Sequence, residues 1–352
     1  MTQAATLSPL APDGRPLTLI TLGDSAGLRI TLADWGASWL GCSIALDDGS
    51  RRELVLGDDD VANPLRQNAY LGATVGRFAN RIAHGRYPTA DGWVELTRAP
   101  GKRHTLHGGP EGFDRRRWEI RDQGTHHVCF GLLSPDGDQG YPGTLDVEVR
   151  YSLSGDGEVR IDYQARSDAT TPVNLSNHAY FNLDGGDGDI LRHRLRLAAS
   201  RYLPVDGELI PLGGLADVAG SSMDFRAGKP LGQDLRSDEQ QRLANGYDHA
   251  FLFDARADGD EQPALSLLSG DGRLELEMFT SLPAVHVYSG NYLAGSPARG
   301  GGVHRAHQGV ALETEWLPDS PNHPEWPQPS CLLSAGGLWR HWTRYRFVER
   351  GL

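Results

Sequence analysis

The chain has 352 residues, a formal net charge of −12 and 44 glycines. Its length fits one large domain or two ordinary ones, and either could bury a sizeable core. The basic residues are scattered along the chain, so we expect neither nucleic acid nor an anionic membrane as a partner. The three cysteines are odd in number and far apart, which disfavours a disulfide framework and favours a reducing, cytoplasmic setting.

The N-terminal sequence does not resemble a targeting segment. Met1 to Pro16 lacks both a basic region and an uninterrupted apolar run. No stretch of the chain approaches the ~20 apolar residues that span a bilayer. We therefore expect no membrane segment and no export by the common secretory route.

The predicted elements are nearly all strands. Alternation of apolar and polar residues, the period of a strand, marks these segments in chain order: Leu28–Leu32, Trp118–Arg121, Leu145–Tyr151, Val159–Ala165 and Leu274–Met278. The third and fourth form a predicted hairpin. The one persuasive helix is short, at Asp234–Asn245, and ends at Gly246. Many strands with few short helices predict an all-β fold of sheet packed on sheet. We expect a single β-sandwich domain over residues 1–352.

Pro172–Leu183 is the first segment with a chemically suggestive pattern. If it is one strand, a single face carries only polar side chains: Asn174, Ser176, His178, Tyr180 and Asn182. Amide, hydroxyl, phenol and imidazole groups are those that hydrogen-bond a neutral polyol. A solvated strand face with a stray histidine explains the pattern equally well, so His178 is only a candidate at this point.

A pair of carboxylates lies in Gly309–Trp316. On a strand, Glu313 and Glu315 share one face, and like charges placed close together raise each other's pKa toward the range of a general base. An ordinary hydrophilic strand face is the alternative, and without context it is the simpler one. The proline-rich segment that follows, Pro318–Pro329, could wall a site or merely pack.

Two further stretches place polar side chains beside glycine, which lets the backbone approach a ligand. Asn80 and Arg81 lie in Gly72–Ile82, and His107 precedes a glycine pair in His104–Gly109. The two histidines of the second stretch are a weak metal signal, because no carboxylate or cysteine stands at ligand spacing. We predict no metal and no cofactor.

Taken together and in order, these segments resemble the aldose 1-epimerase (galactose mutarotase) family, and its bacterial members most. The resemblance covers most of the chain and rests on an ordered set of motifs: Asp34–Ala37, Gly76–Ile82, Leu106–Asp114, Asp136–Gly140, Asn174–Leu183, Gly246–His249, Tyr288–Asn291 and Leu312–Glu315. It implies a large antiparallel β-sandwich of the galactose mutarotase-like supersandwich type, with an open cleft for one monosaccharide. It also implies an isomerase that interconverts the α and β anomers of free hexoses such as D-glucose and D-galactose.

The resemblance further implies roles for individual residues. Glu313, rather than Glu315, matches the family's general base, and His178 matches its general acid. His107 matches a histidine near the ring oxygen of the sugar. The remaining matched positions would bind the substrate: Asn80, Arg81, Asp248 and His286. At position 286 related enzymes often have glutamine, so the sugar preference of this chain stays open.

The implied reaction needs two proton transfers. Glu313 would take the proton of the C1 hydroxyl while cationic His178 protonates the ring oxygen, and rotation about C1–C2 followed by reclosure would give the other anomer. One of the eight tryptophans could add a stacking platform for the sugar. We expect a monomer or homodimer whose partner is a small monosaccharide.

Three other functions remain open from the sequence. A sugar-binding module that kept the cleft without catalysis would need Glu313 or His178 to be lost, and both are present. A glycoside hydrolase would use two carboxylates, for which Glu313 and Asp248 are conceivable. An epimerase of phosphorylated hexoses would need a basic cluster, and among the matched positions only Arg81 is firmly basic.

Overall fold

The structure, a computed structural model, describes residues 9–61, 63, 68–255 and 262–351. The segment considered for export, Met1 to Pro16, lies partly outside the described residues. Within these ranges, no helix is long and apolar enough to cross a membrane. The assignment of residues 1–352 to a single domain stays a prediction.

Strands make up most of the regular structure. In chain order they are β1 (Leu19–Gly23), β2 (Arg29–Ala33), β3 (Ser38–Ala45), β4 (Arg51–Glu53), β5 (Thr74–Val75), β6 (Arg81–Ile82), β7 (Arg86–Thr89), β8 (Gly92–Glu95), β9 (Thr105–Leu106), β10 (Glu119–Gln123), β11 (His127–Ser134), β12 (Leu145–Leu153), β13 (Glu158–Ser167), β14 (Thr171–Pro172), β15 (Ser176–Asn177), β16 (Tyr180–Phe181), β17 (Arg194–Leu197), β18 (Arg201–Tyr202), β19 (Ala216–Asp217), β20 (Lys229–Pro230), β21 (Asp248–Leu252), β22 (Leu265–Leu268), β23 (Leu274–Thr280), β24 (Ala284–Tyr288), β25 (Val310–Glu315), β26 (Leu332–Leu333) and β27 (Leu338–Glu349).

Helices are few and short. The α-helix α1 spans Glu239–Ala244. Single 3-10 turns occur at Ala83–Gly85, Phe113–Arg115, Asp138–Gly140, Arg299–Gly301 and Ser320–Asn322.

Two large sheets dominate the fold. One has nine strands in the order β10-β11-β12-β13-β27-β23-β22-β17-β20, and the other has six in the order β16-β25-β24-β21-β18-β19. Every pair of neighbouring strands within them is antiparallel. A smaller antiparallel sheet joins β1 to β4. The prediction of an all-β, antiparallel fold is confirmed.

The sheets pack on one another around Trp39 of β3, which is fully buried. Its indole ring contacts Tyr151 and Tyr345 of the nine-stranded sheet, with ring centroids 6.5 and 5.3 Å away, and Phe181 of the six-stranded sheet at 6.0 Å. These near-perpendicular contacts are the arrangement that aromatic rings prefer. The core cluster around them draws side chains from β1 through to β27, which is the sandwich that the sequence predicts.

Local predictions made from periodicity hold in the nine-stranded sheet. The predicted hairpin is β12 and β13, and its buried apolar side chains alternate with more exposed polar ones. The predicted helix is shorter than expected. The Asp238 carboxylate accepts a hydrogen bond from the Gln241 amide and caps its start, and Asn245, with φ of 59°, ends it.

The prediction that Pro172–Leu183 forms one strand with a polar face is wrong. It is broken into β14, β15 and β16, which pair with three different strands, and the residues between them, including His178, belong to no strand. All of the segment is buried. The amides mostly hold the backbone: Asn174 Oδ1 accepts from the Trp316 amide at 3.0 Å, and Asn182 Nδ2 donates to the Gln308 carbonyl at 2.7 Å. Alternation of apolar and polar residues indicates a strand only where one side of the strand faces water. Neither side of this segment does, so its alternation did not predict its structure.

Candidate active site

A pocket of about 210 Å³ opens at one face of the six-stranded sheet. This volume is below the roughly 300–1,000 Å³ of pockets that hold drug-sized ligands, which suits a ligand as small as one sugar ring. Its lining includes all seven residues singled out from the sequence: Asn80, Arg81, His107, His178, Asp248, His286 and Glu313. Residues more than 200 positions apart in the chain are therefore neighbours at this site.

Three adjacent strands supply the acidic side of the pocket. His286 lies at the centre of β24, opposite Glu313 on β25, and Asp248 begins β21 on the other side. All six residues of β25 are buried, and Glu313 and Glu315 are only 1% and 0% exposed. The alternative of a hydrophilic surface strand is therefore wrong.

Two loops supply the opposite side of the pocket, and each contains a residue in the left-handed backbone conformation. Asn80 and His107 have φ of 64° and 47°. The two residues hold each other. The backbone amide of Asn80 donates to His107 Nδ1 at 3.1 Å, and the backbone amide of His107 donates to the backbone carbonyl of Asn80 at 3.0 Å. At Gly108, which also has positive φ, a Cβ atom would lie 1.9 Å from the Gly76 carbonyl oxygen, so only glycine fits. Because His107 Nδ1 accepts a hydrogen bond, the ring proton of the neutral form lies on Nε2.

Glu313 and His178, the candidate base and acid, lie side by side in the pocket. His178 Nε2 lies 3.4 Å from Glu313 Oε1, and both side chains are almost completely buried. Burial and then the charge of Asp248 raise the pKa of Glu313 well above its ordinary value, whereas burial lowers the pKa of His178 to about 4. Both shifts favour an uncharged pair. The cationic His178 that the sequence analysis expects thus forms against the effect of burial.

Charged neighbours oppose these shifts. The positive charge of Arg81 lowers the pKa of Glu313, and the negative charge of Asp248 raises the pKa of His178. Asp248 itself is held by His286, whose Nε2 lies 2.6 Å from Asp248 Oδ1. Burial alone would raise the pKa of Asp248, but this hydrogen bond, with the charge of Arg81, brings it below its ordinary value. Asp248 is therefore an anion in the pocket.

The loop Pro318–Pro329 supports the site from behind. Within it, the Asp319 amide donates to the Arg81 carbonyl at 2.7 Å, and the Asp319 carboxylate accepts from the Ala83 amide at 2.8 Å. The loop braces the backbone that presents Arg81 and does not itself line the pocket.

Comparison with known proteins decides the family. A family model described as aldose 1-epimerase matches residues 18–346. The chain belongs to the aldose 1-epimerase family. The aldose 1-epimerase of Escherichia coli K12 is 49% identical over 339 residues, which cover 96% of this chain and 97% of the relative. The galactose mutarotase of Rattus norvegicus is 39% identical and covers 91% of each chain.

Solved structures agree with this assignment. The galactose 1-epimerase from Lactobacillus acidophilus superposes with a TM-score of 0.82 at 29% identity, covering 96% of both chains. An aldose epimerase homologue from C. elegans reaches a TM-score of 0.87 at 27% identity, covering 95% of this chain and all of that one. The fold is thus the galactose mutarotase-like sandwich, and the protein is a mutarotase, an isomerase of carbohydrate metabolism.

The aromatic side chains around the epimerase pocket are tyrosines. Tyr70, Tyr180 and Tyr288 surround the His178 ring, with centroid distances of 5.6, 4.9 and 6.4 Å. Tyr292 also lines the pocket and is 63% exposed. Among the described lining residues there is no tryptophan, which corrects the expectation of an indole platform.

Sequence reasoning overlooked several lining residues of the epimerase, including Tyr70, Leu209, Tyr288 and Tyr292. Tyr288 was accessible to it, because it lies two residues after His286 on the same strand and so shares its face. Tyr70 and Leu209 come from loops whose approach to the pocket depends on tertiary packing, and no local pattern marks them.

Three side chains of the epimerase also form a cluster that could hold a metal ion. Ligand atoms of His107, His178 and Glu313 lie within 4.8 Å of one another, and two imidazoles with one carboxylate form a set that zinc accepts. The same atoms are the candidate proton donors and acceptors. The absence of a metal and of a cofactor stays a prediction.

Proposed function

We propose that the enzyme interconverts the α and β anomers of free hexoses, D-glucose and D-galactose, by acid/base ring opening. Glu313 is the general base and His178 the general acid. The observation that carries this proposal is the 3.4 Å approach of His178 Nε2 to Glu313 Oε1 inside the small pocket. A base and an acid at this separation can serve the C1 hydroxyl and the ring oxygen of one sugar, which are bonded to the same carbon.

Ring opening and reclosure each move two protons. Glu313 takes the proton of the C1 hydroxyl, His178 gives a proton to the ring oxygen, and the C1–ring oxygen bond breaks to leave an open-chain aldehyde. Rotation about C1–C2 exposes the other face of the aldehyde. Reclosure then returns the proton from Glu313 to the C1 oxygen, while His178 takes one from the C5 hydroxyl. Each transfer of this kind contributes roughly 10²- to 10⁴-fold.

Burial of the pair matches the open-chain intermediate. Once the ring has opened, Glu313 is protonated and His178 is neutral, and these are the forms that burial favours. Before ring opening the pair must be ionic. The charge of Arg81 stabilises ionised Glu313, and the charge of Asp248 stabilises cationic His178 while it disfavours ionised Glu313. The pocket therefore stabilises both the neutral and the ionic form of the Glu313–His178 pair. An enzyme that converts each anomer into the other needs both forms.

The remaining residues hold the sugar. The neutral His107 ring donates from Nε2, since burial, with the neighbouring His178, lowers its pKa well below the ordinary value. Arg81 and Asp248 bind ring hydroxyls, and Asn80 retains one Nδ2 hydrogen beyond the one it gives to Glu315. Holding the aldehyde in place keeps the reacting groups aligned for reclosure.

Optical rotation tests this function directly. Freshly dissolved α-D-galactose and α-D-glucose should reach anomeric equilibrium faster with the enzyme than in buffer. Binding without acceleration would instead favour a sugar-binding module. Release of the aryl group from an aryl galactoside would favour a glycoside hydrolase, and activity confined to hexose 6-phosphates would favour the phosphorylated class.

A further inference from the structure

Glu315 lies behind the pocket rather than in its lining. Its side chain is completely buried. Its Oε1 accepts a hydrogen bond from Asn80 Nδ2 at 3.2 Å and lies 3.8 Å from His286 Nδ1. Nothing in the reaction described above uses this second carboxyl group, although burying it without a function would be costly.

The contacts of Glu315 continue in both directions. Asn80 Oδ1 accepts a hydrogen bond from the Arg81 amide at 2.9 Å. On the other side, His286 Nε2 lies 2.6 Å from Asp248 Oδ1. A buried polar chain, Arg81–Asn80–Glu315–His286–Asp248, therefore passes beneath the pocket. Its two ends are the charged residues assigned to the sugar hydroxyls, and Glu315 is its middle link.

The imidazole of His286 lies between two carboxyl groups. Burial and then the charge of Glu313 raise the pKa of Glu315 well above its ordinary value, which favours the protonated form of its carboxyl group. A protonated Glu315 can donate to His286 Nδ1, which lacks a hydrogen-bond partner within 3.5 Å among the described residues. With Nδ1 accepting, the ring proton of His286 lies on Nε2 and is donated to Asp248.

We propose that Glu315 is a positioning residue for sugar recognition. It fixes the His286 ring with its Nε2 proton toward Asp248, and it holds the Asn80 amide beside Arg81. The inference rests on the proposed function of the pocket. It also gives the histidine at position 286 a role that glutamine would fill differently, since an amide has its acceptor and donor on one terminal group rather than on opposite sides of a ring.

Two substitutions separate the hydrogen-bonding role of Glu315 from its bulk. Glu315→Gln keeps an acceptor for Asn80 and a donor for His286 Nδ1, so kcat/KM for galactose should stay within about threefold of the wild type. Glu315→Leu removes both groups at similar volume. It should raise KM about tenfold or more, with a smaller change in kcat, because ring hydroxyls are held less well while Glu313 and His178 remain.

A matched control is Glu148→Leu, the same change on β12 of the nine-stranded sheet, which should leave KM unchanged. Nitrogen-15 NMR of the His286 ring shows which ring nitrogen carries the proton. This would not change between variants if Glu315 only supported the fold. The wild type and Glu315→Gln should show the Nε2-protonated tautomer, and Glu315→Leu should lose that preference. If Glu315→Leu does not fold, the wild type and Glu315→Gln still test the proposal through their KM and the tautomer of His286.

Wild-type KM in Glu315→Leu, a Glu315→Gln protein as impaired as Glu315→Leu, or an Nδ1-protonated His286 in the wild type would overturn the proposal. Failure of the proposed function has a different signature. In that case the wild type would not accelerate mutarotation at all, while the tautomer of His286 and the Kd for galactose would still report on Glu315.

Discussion

Strands β12 and β25 show what distinguishes the two large sheets. Both carry acids in alternation with apolar residues. On β12, Glu148 is partly exposed and pairs with Arg121 at 3.1 Å. On β25, Glu313 and Glu315 are buried, and each has an Oε2 atom without a hydrogen-bond partner among the described residues. The same sequence pattern therefore produces a solvated face in one sheet and a reactive one in the other.

The difference lies in what covers each face. The outer face of β12 meets water, so its acids cost little and contribute little. The corresponding face of β25 is covered by the loops that carry Asn80, His107 and His178, so its acids are desolvated and their pKa values rise.

Replacing a histidine should affect catalysis in one sheet and not in the other. His178→Asn removes the proton donor to the ring oxygen, and we expect kcat for galactose to fall roughly 10²- to 10⁴-fold. His127→Asn, on β11 of the nine-stranded sheet, should change kcat less than twofold. Comparable losses in both variants would mean that the assay reports folding rather than catalysis. Coupled oxidation of β-D-galactose as it forms gives the rates.

Buried histidine should make the six-stranded sheet sensitive to acid. Burial lowers the pKa of His249 on β21 from 6.5 to about 4. The unfolded chain takes up the proton first as pH falls, so stability present above pH ~6.5 is lost progressively down to pH ~4. One such group accounts for about 3 kcal/mol of unfolding free energy.

Urea unfolding between pH 7.5 and pH 4 measures this effect. The wild type should lose about 3 kcal/mol more than His249→Gln over that interval. His127→Gln, whose ring is partly exposed, should follow the wild type. Parallel pH profiles for the wild type and His249→Gln would contradict the assignment.

How far such contrasts could be read from the sequence depends on the region. The hairpin β12–β13 was predictable because one side faces the core and the other faces water, so the pattern records burial directly. Pro172–Leu183 was not, because every residue is buried and the chain changes partner twice. The residue pattern made His178 and the Glu313–Glu315 pair candidates, and family resemblance supplied their roles and the choice of Glu313 over Glu315. Their pKa shifts, the tyrosines around them and the link through Glu315 depend on tertiary packing, which periodicity does not encode.

The departure at position 286 should alter sugar preference rather than chemistry. His286→Gln replaces an imidazole that is hydrogen-bonded to Asp248 by an amide of different length. This changes how Asp248 contacts the hydroxyl groups of the sugar. We expect the ratio of kcat/KM for galactose to that for glucose to change about tenfold, the effect of roughly one hydrogen bond. An unchanged ratio would show that His286 does not influence specificity. Side-by-side progress curves with the two sugars provide the measurement.

The smallest expected effect is on the free energy of unfolding when a glutamate is replaced by glutamine. Because burial favours the uncharged form of Glu313, Glu313→Gln puts a neutral group of the same shape in its place, and the free energy of unfolding should change by less than about 1 kcal/mol. Glu148→Gln loses an exposed ion pair and should cost a similarly small amount. A large loss in Glu313→Gln would mean that this carboxylate is ionised and stabilises the fold.

The central claim is that Glu313 is the base that opens the sugar ring, and polarimetry of fresh α-D-galactose tests it most directly. The wild type and Glu148→Gln should accelerate the change in rotation equally. Glu313→Gln should be slower by roughly 10²- to 10⁴-fold while it still binds galactose. Turnover by Glu313→Gln at the wild-type rate would contradict the account.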